Sequence, residues 1–369
     1  MLPRIFNRFL NSWIDWFRSW SFLFNLQKSL KIPFPIAINF MMGVCLAFVV
    51  AACNSNAPVS SSNPSAAPVA NTTASTTNLV RFGYQKSTIL LKAKGLLEKR
   101  LEPEGVRVEW TEFPAGPPMM EALNAGAIDI GPVGESPPIF AQAAGANLIY
   151  AAAIAPSPKS SAVLVPKDSP IKSVADLKGK RVAFQKGSSA NYLIFQLLQK
   201  AGLQFSDIQP AYLAPADARA ALGRGAVDAW VIWDPYYAAA ENGANVRVLV
   251  DGSGINKQGG YYISSRKFAT ENAKILKPIL EEIRNLETWS DKHRDEVTTI
   301  YASTLKLDSE VVKKAIQRRQ FGLNPITDNL IAEQQKVADT YTQLKLIPKQ
   351  ISIKEATLKP EEYEAFAPH

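Results

Sequence analysis

Cysteine is almost absent from this chain. The two present, Cys45 and Cys53, both lie in an N-terminal apolar region, so the remaining sequence can hold neither a disulfide nor a reactive thiol. Histidine is equally scarce. His293 sits in a charged stretch and His369 is the last residue, which excludes a His/Cys metal cluster and argues against a histidine-based triad. No G-x-S-x-G elbow, P-loop, H-E-x-x-H or S-x-x-K stands at a suitable place, and Gly187-Ser188-Ser189-Ala190 is only superficially like an elbow. A catalytic carboxylate pair stays open in principle, but no feature selects one. Basic clusters interleaved with aromatics are missing too, so the net charge of +8 gives no nucleic-acid footprint. Half of that charge falls in the first 52 residues, where Arg4, Arg8, Arg18, Lys28 and Lys31 face Asp15 alone. No enzyme, metal or cofactor is expected from these absences.

The N-terminal region is distinctive in other ways. Residues 1–35 are aromatic and basic, with Trp13, Trp16, Phe17 and Trp20. They read as a long signal n-region or as a start codon placed too early; an interfacial amphipathic segment is the third option. Ile36 to Ala52 is uncharged and apolar, shorter than the roughly 20 residues a bilayer span needs. It ends in Val50-Ala51-Ala52-Cys53, small residues before a cysteine, as in an exported precursor. The pattern resembles a bacterial lipobox, which implies cleavage before Cys53 and lipid on its sulfur. A plain transmembrane anchor is the alternative, and both place the folded part outside the cytoplasm. Asn54 to Asn78 has no charged residue and is rich in Ser, Thr, Asn, Ala and Pro, the composition of a slack tether.

The folded part is organised around residues 179–202. Val182, Ala183 and Phe184 suit a buried strand; Gly187 allows a turn; Ser188 and Ser189 are good helix caps. Ile194, Leu197, Leu198 and Ala201 then fall on one helical face, and Gly202 stops the helix. Such a junction gathers free N–H groups, hydroxyls and the positive end of a helix dipole, which suits a small anion. The plan repeats about 100 residues apart. Gln85-Lys86 precede Gln185-Lys186, and Ala122–Asp129 resembles Ala221–Asp228. That period is far too long for a solenoid and predicts two lobes on one α/β plan.

The remaining pattern predicts strands at Val80–Tyr84, Val106–Phe113, Ile128–Pro132, Leu148–Ile154, Ala162–Val165, Ala229–Trp233, Val246–Val250 and Tyr261–Ser264. Helices are expected at Thr88–Arg100, from Pro117-Pro118 through Leu123, after Ser136 as N-cap with Pro137 at the first helical position, at Pro215–Leu222, and after Asp234-Pro235. After Arg266 the chain reads as helices without strands: Glu271–His293, Glu296–Leu305, Ser309–Phe321 and Asp328–Leu344.

Four strand-to-helix junctions carry polar caps: Gln85–Ser87, Gly134–Ser136, Lys186–Ser189 and Trp233–Pro235. In parallel sheets they would share the carboxyl edge and line a cleft between the lobes. The ligand such a cleft suits is small and anionic, held by N–H groups and hydroxyls rather than a salt bridge. Lys86 and Lys186 could add charge, and Tyr84, Trp230, Trp233, Tyr236 and Tyr237 could wall an apolar part, although Trp230 also reads as plain core. Glu135 and Asp234 could meet an ammonium group or simply cap helices.

Several segments together carry a family resemblance. They are Glu112–Pro117, Pro137–Ala146, Ala183–Ser189, Pro215–Ala220 and Trp233-Asp234-Pro235-Tyr236-Tyr237. From about Val80 to about Ile353 the chain resembles the substrate-binding proteins of nitrate, sulfonate and taurine ABC importers, the aliphatic sulfonate-binding proteins in particular. The resemblance implies an α/β, type II periplasmic-binding fold: two lobes joined by two crossings, with the C-terminal helices on the first. The expected division is 1–52 signal, 53–78 lipidated Cys53 and linker, 79–165 first lobe, 166–258 second lobe and 259–369 the return to the first. It implies closure over an alkanesulfonate, delivery to an inner-membrane permease, a monomer, and no reaction on the ligand. Taurine, nitrate or a thiamin-precursor pyrimidine are the alternative ligands. Gln85, Ser87, Gly187, Ser188, Ser189, Trp233 and Asp234 carry over as cleft positions. Where relatives often have Thr-Gly-Asp or Ser-Gly-Asp, this chain has Val133-Gly134-Glu135, losing a hydroxyl and lengthening the acid, with Ser136 next in line to supply the hydroxyl.

Overall fold

The structure is a computed structural model that describes residues 78–364, apart from 244, 256 and 258. The expected signal, the lipobox cysteine and the linker up to residue 77 lie outside the described residues; Asn78, expected to end the linker, is the first residue of β1. Eleven described strands form two sheets. The first begins with β1 (Asn78–Tyr84), β2 (Val106–Glu112), β3 (Ile130–Val133) and β4 (Leu148–Ile154). The second holds β5 (Ser161–Pro166), β6 (Arg181–Phe184), β7 (Gln209–Tyr212), β8 (Ala229–Trp233) and β9 (Val246–Asp251). The chain then returns to the first sheet with β10 (Tyr261–Ser265) and β11 (Leu323–Asn324), giving the orders β11-β4-β10-β3-β1-β2 and β7-β6-β8-β5-β9. It therefore crosses between the lobes twice, after β4 and before β10, so β5, which the expected boundary at 165 left in the first lobe, belongs to the second.

The internal repeat is visible in the geometry. β1 lies parallel between β2 and β3, and β6 lies parallel between β7 and β8. Each repeat has the same lock. Arg81 N–H donates to Asp129 Oδ2 at 2.8 Å while Asp129 N–H donates to the Arg81 carbonyl at 2.8 Å. Arg181 and Asp228 exchange the same two bonds at the same distances. Gly126 and Gly225 precede these aspartates with φ of +70° and +69°, the left-handed conformation that ends a helix and starts a strand.

Helices cover the sheets. In the first part they are α1 (Leu90–Ala93), α2 (Leu96–Leu101), α3 (Gly116–Asn124) and α4 (Ser136–Ala143). The second lobe has α5 (Ser189–Lys200), α6 (Pro215–Gly223) and α7 (Tyr236–Gly243). The tail contributes α8 (Arg266–Glu271), α9 (Ala273–Lys292), α10 (Arg294–Leu305), α11 (Ser309–Arg318), α12 (Asp328–Gln343) and α13 (Pro360–Glu364). In α9, Leu276, Ile279, Leu280, Ile283 and Leu286 recur at helical spacing and bury against Val80 and Phe82 of the first sheet. Val337, Ala338 and Tyr341 of α12 close its other face against Tyr150 and Ile263. In α5, Leu193, Ile194, Leu197 and Leu198 cover β6 and β8, and Gly202 ends the helix at φ +74°.

Some expectations are corrected. The helix expected over 88–100 is broken at Gly95, whose φ of +58° separates α1 from α2. Ser136 is not an N-cap but the first residue of α4, with helical Glu135 before it. Ala201 is exposed, outside the buried face of α5. The tail is not free of strands: Leu323 and Asn324 pair with Ile154 and Ala153, and Leu323 is buried on the sheet edge. Two residues are too few to show a period.

Candidate ligand-binding site

The ends of β1, β3, β6 and β8 meet around a cavity of about 210 Å³. Eight of the ten expected positions line it: Gln85 and Ser87 after β1, Gly134 and Glu135 after β3, Ser188 and Ser189 after β6, Trp233 and Asp234 after β8. Ser136 and Gly187 are not lining residues. Ser136 is fully buried behind the wall, where its hydroxyl donates to Glu135 Oε1 at 3.0 Å and bonds Tyr341 Oη at 2.7 Å. The hydroxyl expected from it therefore faces away. Gly187 supplies the turn, with φ of +71°, and its N–H donates to Asn191 Oδ1 at 3.1 Å.

One wall of the cavity is built by the start of α5. Ser188 is its N-cap by backbone conformation, but the Ser188 hydroxyl donates to the Gln185 carbonyl at 2.7 Å instead of capping the helix. The N–H groups of Ser189 and Ala190 have no intrahelical acceptor by geometry, and they stand at the positive end of a helix of 12 residues. Opposite them, the Gln85 turn is tied back on itself. Gln85 Nε2 donates to the Pro132 carbonyl at 3.0 Å, and Gln85 N–H to Thr88 Oγ1 at 3.1 Å.

The lobes meet at Ser189 and Glu135. The Ser189 hydroxyl donates to Glu135 Oε2 at 2.7 Å, and a Cβ placed on Gly134 would stand 1.8 Å from Ser189 Oγ. Glycine is thus needed there for close approach. Glu135 is only 2% exposed, and burial pushes its carboxyl up, against the opposing pull of the Ser189 and Ser136 hydroxyls. After β8, the strand beside β6, Asp234 accepts from Ala238 N–H at 3.0 Å and from Arg318 Nη1 at 3.4 Å, both on Oδ1. Burial pushes Asp234 up to about 6, outweighing Arg318. Arg318 also pairs with Glu241 and lies 3.7 Å above the Tyr237 ring. Lys86 stands over Tyr236 and Lys186 over Tyr212, and neither lines the cavity.

The tail adds residues that no sequence pattern singles out. Tyr301, Val312, Ala315, Ile316 and Arg319 line the cavity, as does Ser160 of the first crossing. Tyr301 Oη donates to the Ser87 carbonyl at 2.8 Å, and Arg319 Nη1 donates to the same carbonyl, so the Gln85 turn is held from outside. Burial works against the Arg319 charge, yet Glu287, accepting at 2.7 Å, keeps it protonated beyond the ordinary arginine range. Nothing local distinguishes Arg319 from the other arginines of the tail; only folding brings it here. The apolar wall also differs from expectation. Trp233 is on it, whereas Trp230 is core, Tyr84 bonds Glu112, and Tyr237 lies under Arg318. Val312, Ile316 and Ile154 take their place.

This geometry has close counterparts. An Escherichia coli K12 protein named for binding aliphatic sulfonates is 45% identical over 289 residues, which is 77% of this chain and 90% of that one. The chain belongs to the aliphatic sulfonate-binding proteins. The NMT1/THI5-like family model matches residues 101–285. Among solved structures, the alkanesulfonate-binding protein SsuA of Xanthomonas axonopodis pv. citri, bound to MOPS, aligns with a TM-score of 0.73 at 41% identity, covering 76% of this chain and 98% of that one. The periplasmic aliphatic sulphonate-binding protein SsuA of Escherichia coli aligns at 0.69 and 44% identity, covering 77% and 92%. The two-lobed, doubly crossed α/β fold of this sulfonate-binding family member is the one its relatives share.

Proposed function

We propose that the protein is the extracytoplasmic substrate-binding component of an ABC importer, that it captures aliphatic sulfonates between its lobes, and that it hands them unchanged to a permease. The observation that carries this reading is the meeting of four strand-to-helix junctions around one cavity, with the open N-terminus of α5 at its wall, in a chain aligned over 90% of a sulfonate-binding relative. The sulfonate group lies against the Ser189 and Ala190 N–H groups and the Ser87 hydroxyl, with Gln85 in reach. Trp233, Val312 and Ile316 receive the alkyl chain. Closure brings Glu135 onto Ser189 and buries the ligand. A lipid on Cys53 holds the monomeric protein at the membrane by its tether.

Thermal unfolding of the protein against methane- to octanesulfonate, nitrate and sulfate tests this. A ligand that binds only the folded state adds about 2.7 kcal/mol at 100 times its dissociation constant. A shift with sulfonates that nitrate and sulfate do not reproduce is expected. A shift with nitrate or sulfate and none with sulfonates would refute the assignment. Loss of membrane association in Cys53→Ser tests the anchor.

A further inference from the structure

The cavity places an acid where an anion is to bind. Glu135 and Ser189 both line it, and Glu135 is only 2% exposed. Its oxygens meet hydroxyls and no cation among the described residues: Ser136 donates to Oε1 at 3.0 Å and Ser189 to Oε2 at 2.7 Å. The neighbouring arginines are committed elsewhere, Arg319 to Glu287 and Arg318 to Asp234 and Glu241. The groups around Glu135 bring it no positive charge. Tyr192 of α5, Tyr261 of β10 and Tyr341 of α12 lie in its field, and Glu333 of α12, paired with Lys336, acts on the first two. Gln334 Nε2 donates to the Glu135 carbonyl at 2.6 Å, and the β1 turn and α3 offer the uncharged Gln85 and Gly116. Burial accordingly pushes the Glu135 carboxyl up.

The same contact occupies a donor that an anion would use. Ser188 spends its hydroxyl on the Gln185 carbonyl, so at the start of α5 the hydroxyl left for the cavity is that of Ser189. An ionised Glu135 accepts from that hydroxyl, and Ser189 then has only lone pairs to turn toward an anion. A proton on Glu135 Oε2 reverses the bond. The carboxyl donates to Ser189 Oγ over the same 2.7 Å, and the Ser189 hydroxyl is free to donate to a sulfonate oxygen. The negative charge beside the anion is removed at the same time. An alkanesulfonate is ionised at every pH at which the protein folds, so the proton comes from solvent and not from the ligand.

Resting on the sulfonate reading above, we infer that capture of a sulfonate is coupled to uptake of a proton by Glu135, which sets the direction of the Ser189 hydroxyl and makes the affinity depend on pH. In the open form the two residues stand on separated lobes, and the solvated carboxyl is ionised near neutral pH. Closure over the ligand strips its water, and the acid takes up a proton. Opening returns proton and sulfonate together. The affinity is therefore highest at acid pH and falls as pH rises through the closed-state value.

Calorimetric titration of the protein with methane- to octanesulfonate from pH 4 to pH 9, in buffers that are not themselves sulfonates, tests the coupling. Affinity is expected to rise severalfold per pH unit as pH falls, with about tenfold the ceiling, and to level off in the ordinary glutamate range. At the steepest pH, titrations in two buffers of different ionisation enthalpy count the protons, and uptake of about half to one per sulfonate is expected. Glu135→Gln, whose amide donates to Ser189 Oγ as the protonated acid does, is expected to abolish the uptake, to bind independently of pH, and to exceed the parent about tenfold at pH 8. Asp234→Asn tests the other acid of the cavity, and the uptake is expected to persist in it. Circular dichroism of each variant confirms folding. Sulfonate binding by the parent with no pH dependence and no proton uptake would overturn the coupling while leaving the sulfonate reading intact. So would uptake that survives in a folded Glu135→Gln variant. Failure of every one of these sulfonates to bind at any pH would overturn the sulfonate reading itself, and the coupling with it.

Discussion

Replacing Asp234 with asparagine is expected to make the ligand-free protein more stable near neutral pH. The carboxyl is buried, its Oδ2 lacks a donor among the described residues, and Arg318 reaches it only at 3.4 Å while also serving Glu241. These conditions raise its pKa from 3.8 to about 6 in the folded protein. For an acid shifted upward, the folded state binds the proton more readily than the unfolded chain. Its contribution to stability is therefore fully present below about pH 4 and is lost as pH rises through 6. The rise corresponds to about 3 kcal/mol at pH 7.5. The asparagine side chain would carry no charge to desolvate and would still accept from Ala238 N–H. Urea unfolding of both proteins from pH 4 to pH 8 should give curves that coincide at the acid end and separate by about 2–3 kcal/mol at pH 7.5, with the variant the more stable. In thermal unfolding the same gap corresponds to about 6 °C. A variant no more stable than the parent at pH 7.5, or a gap independent of pH, would refute the reasoning, because ionisation of Asp234 would then not be the cost.

Other substitutions probe the rest of the cavity. Gly134→Ala would put a methyl 1.8 Å from Ser189 Oγ and 3.2 Å from its Cβ. It is expected to weaken sulfonate binding by more than tenfold in calorimetry, with little change in the melting temperature, because it obstructs the approach of the lobes and not the packing of either. Ser189→Ala removes the donor to Glu135 Oε2 and a cavity hydroxyl; a loss of roughly tenfold in affinity is expected, and unchanged affinity would count against this serine. Arg319→Met leaves Glu287, 6% exposed, without its partner. Denaturant unfolding should show a loss of about 3–5 kcal/mol. Adding Glu287→Gln, which still accepts from Gly322 N–H, should recover much of it.

Much of the fold was legible because its signals are local. β8 begins and ends where an apolar run meets Asp228 and Asp234, and α5 runs between a serine cap and Gly202. The repeat was legible because Gln-Lys after a strand and the run Ala122–Asp129 recur about 100 residues on as Gln185-Lys186 and Ala221–Asp228; the arginine–aspartate lock, between residues 47 or 48 apart, appeared only in the fold. The junction residues of the cavity could be chosen for the same reason: strand ends with polar caps are chain-local, and parallel strands bring them to one edge. Ser136 shows where this stops. Its type and position suit a cap, but the hydroxyl is turned by Tyr341, more than 200 residues away in the chain, so it supports Glu135 from behind.

The sequence by itself determined two α/β units of one design, four candidate junctions, and the absence of cysteine after Cys53, because strand and helix periods, caps and composition are properties of neighbouring residues. The tertiary structure alone decided how the junctions combine. It placed Arg319 and Tyr301 on the Ser87 carbonyl, set Glu135 against Ser189, shared Arg318 between two acids, and left Asp234 Oδ2 without a donor among the described residues. Each of these joins residues from different lobes or distant segments. Their energies depend on burial and on distances of a few ångströms, which no local pattern in the chain encodes.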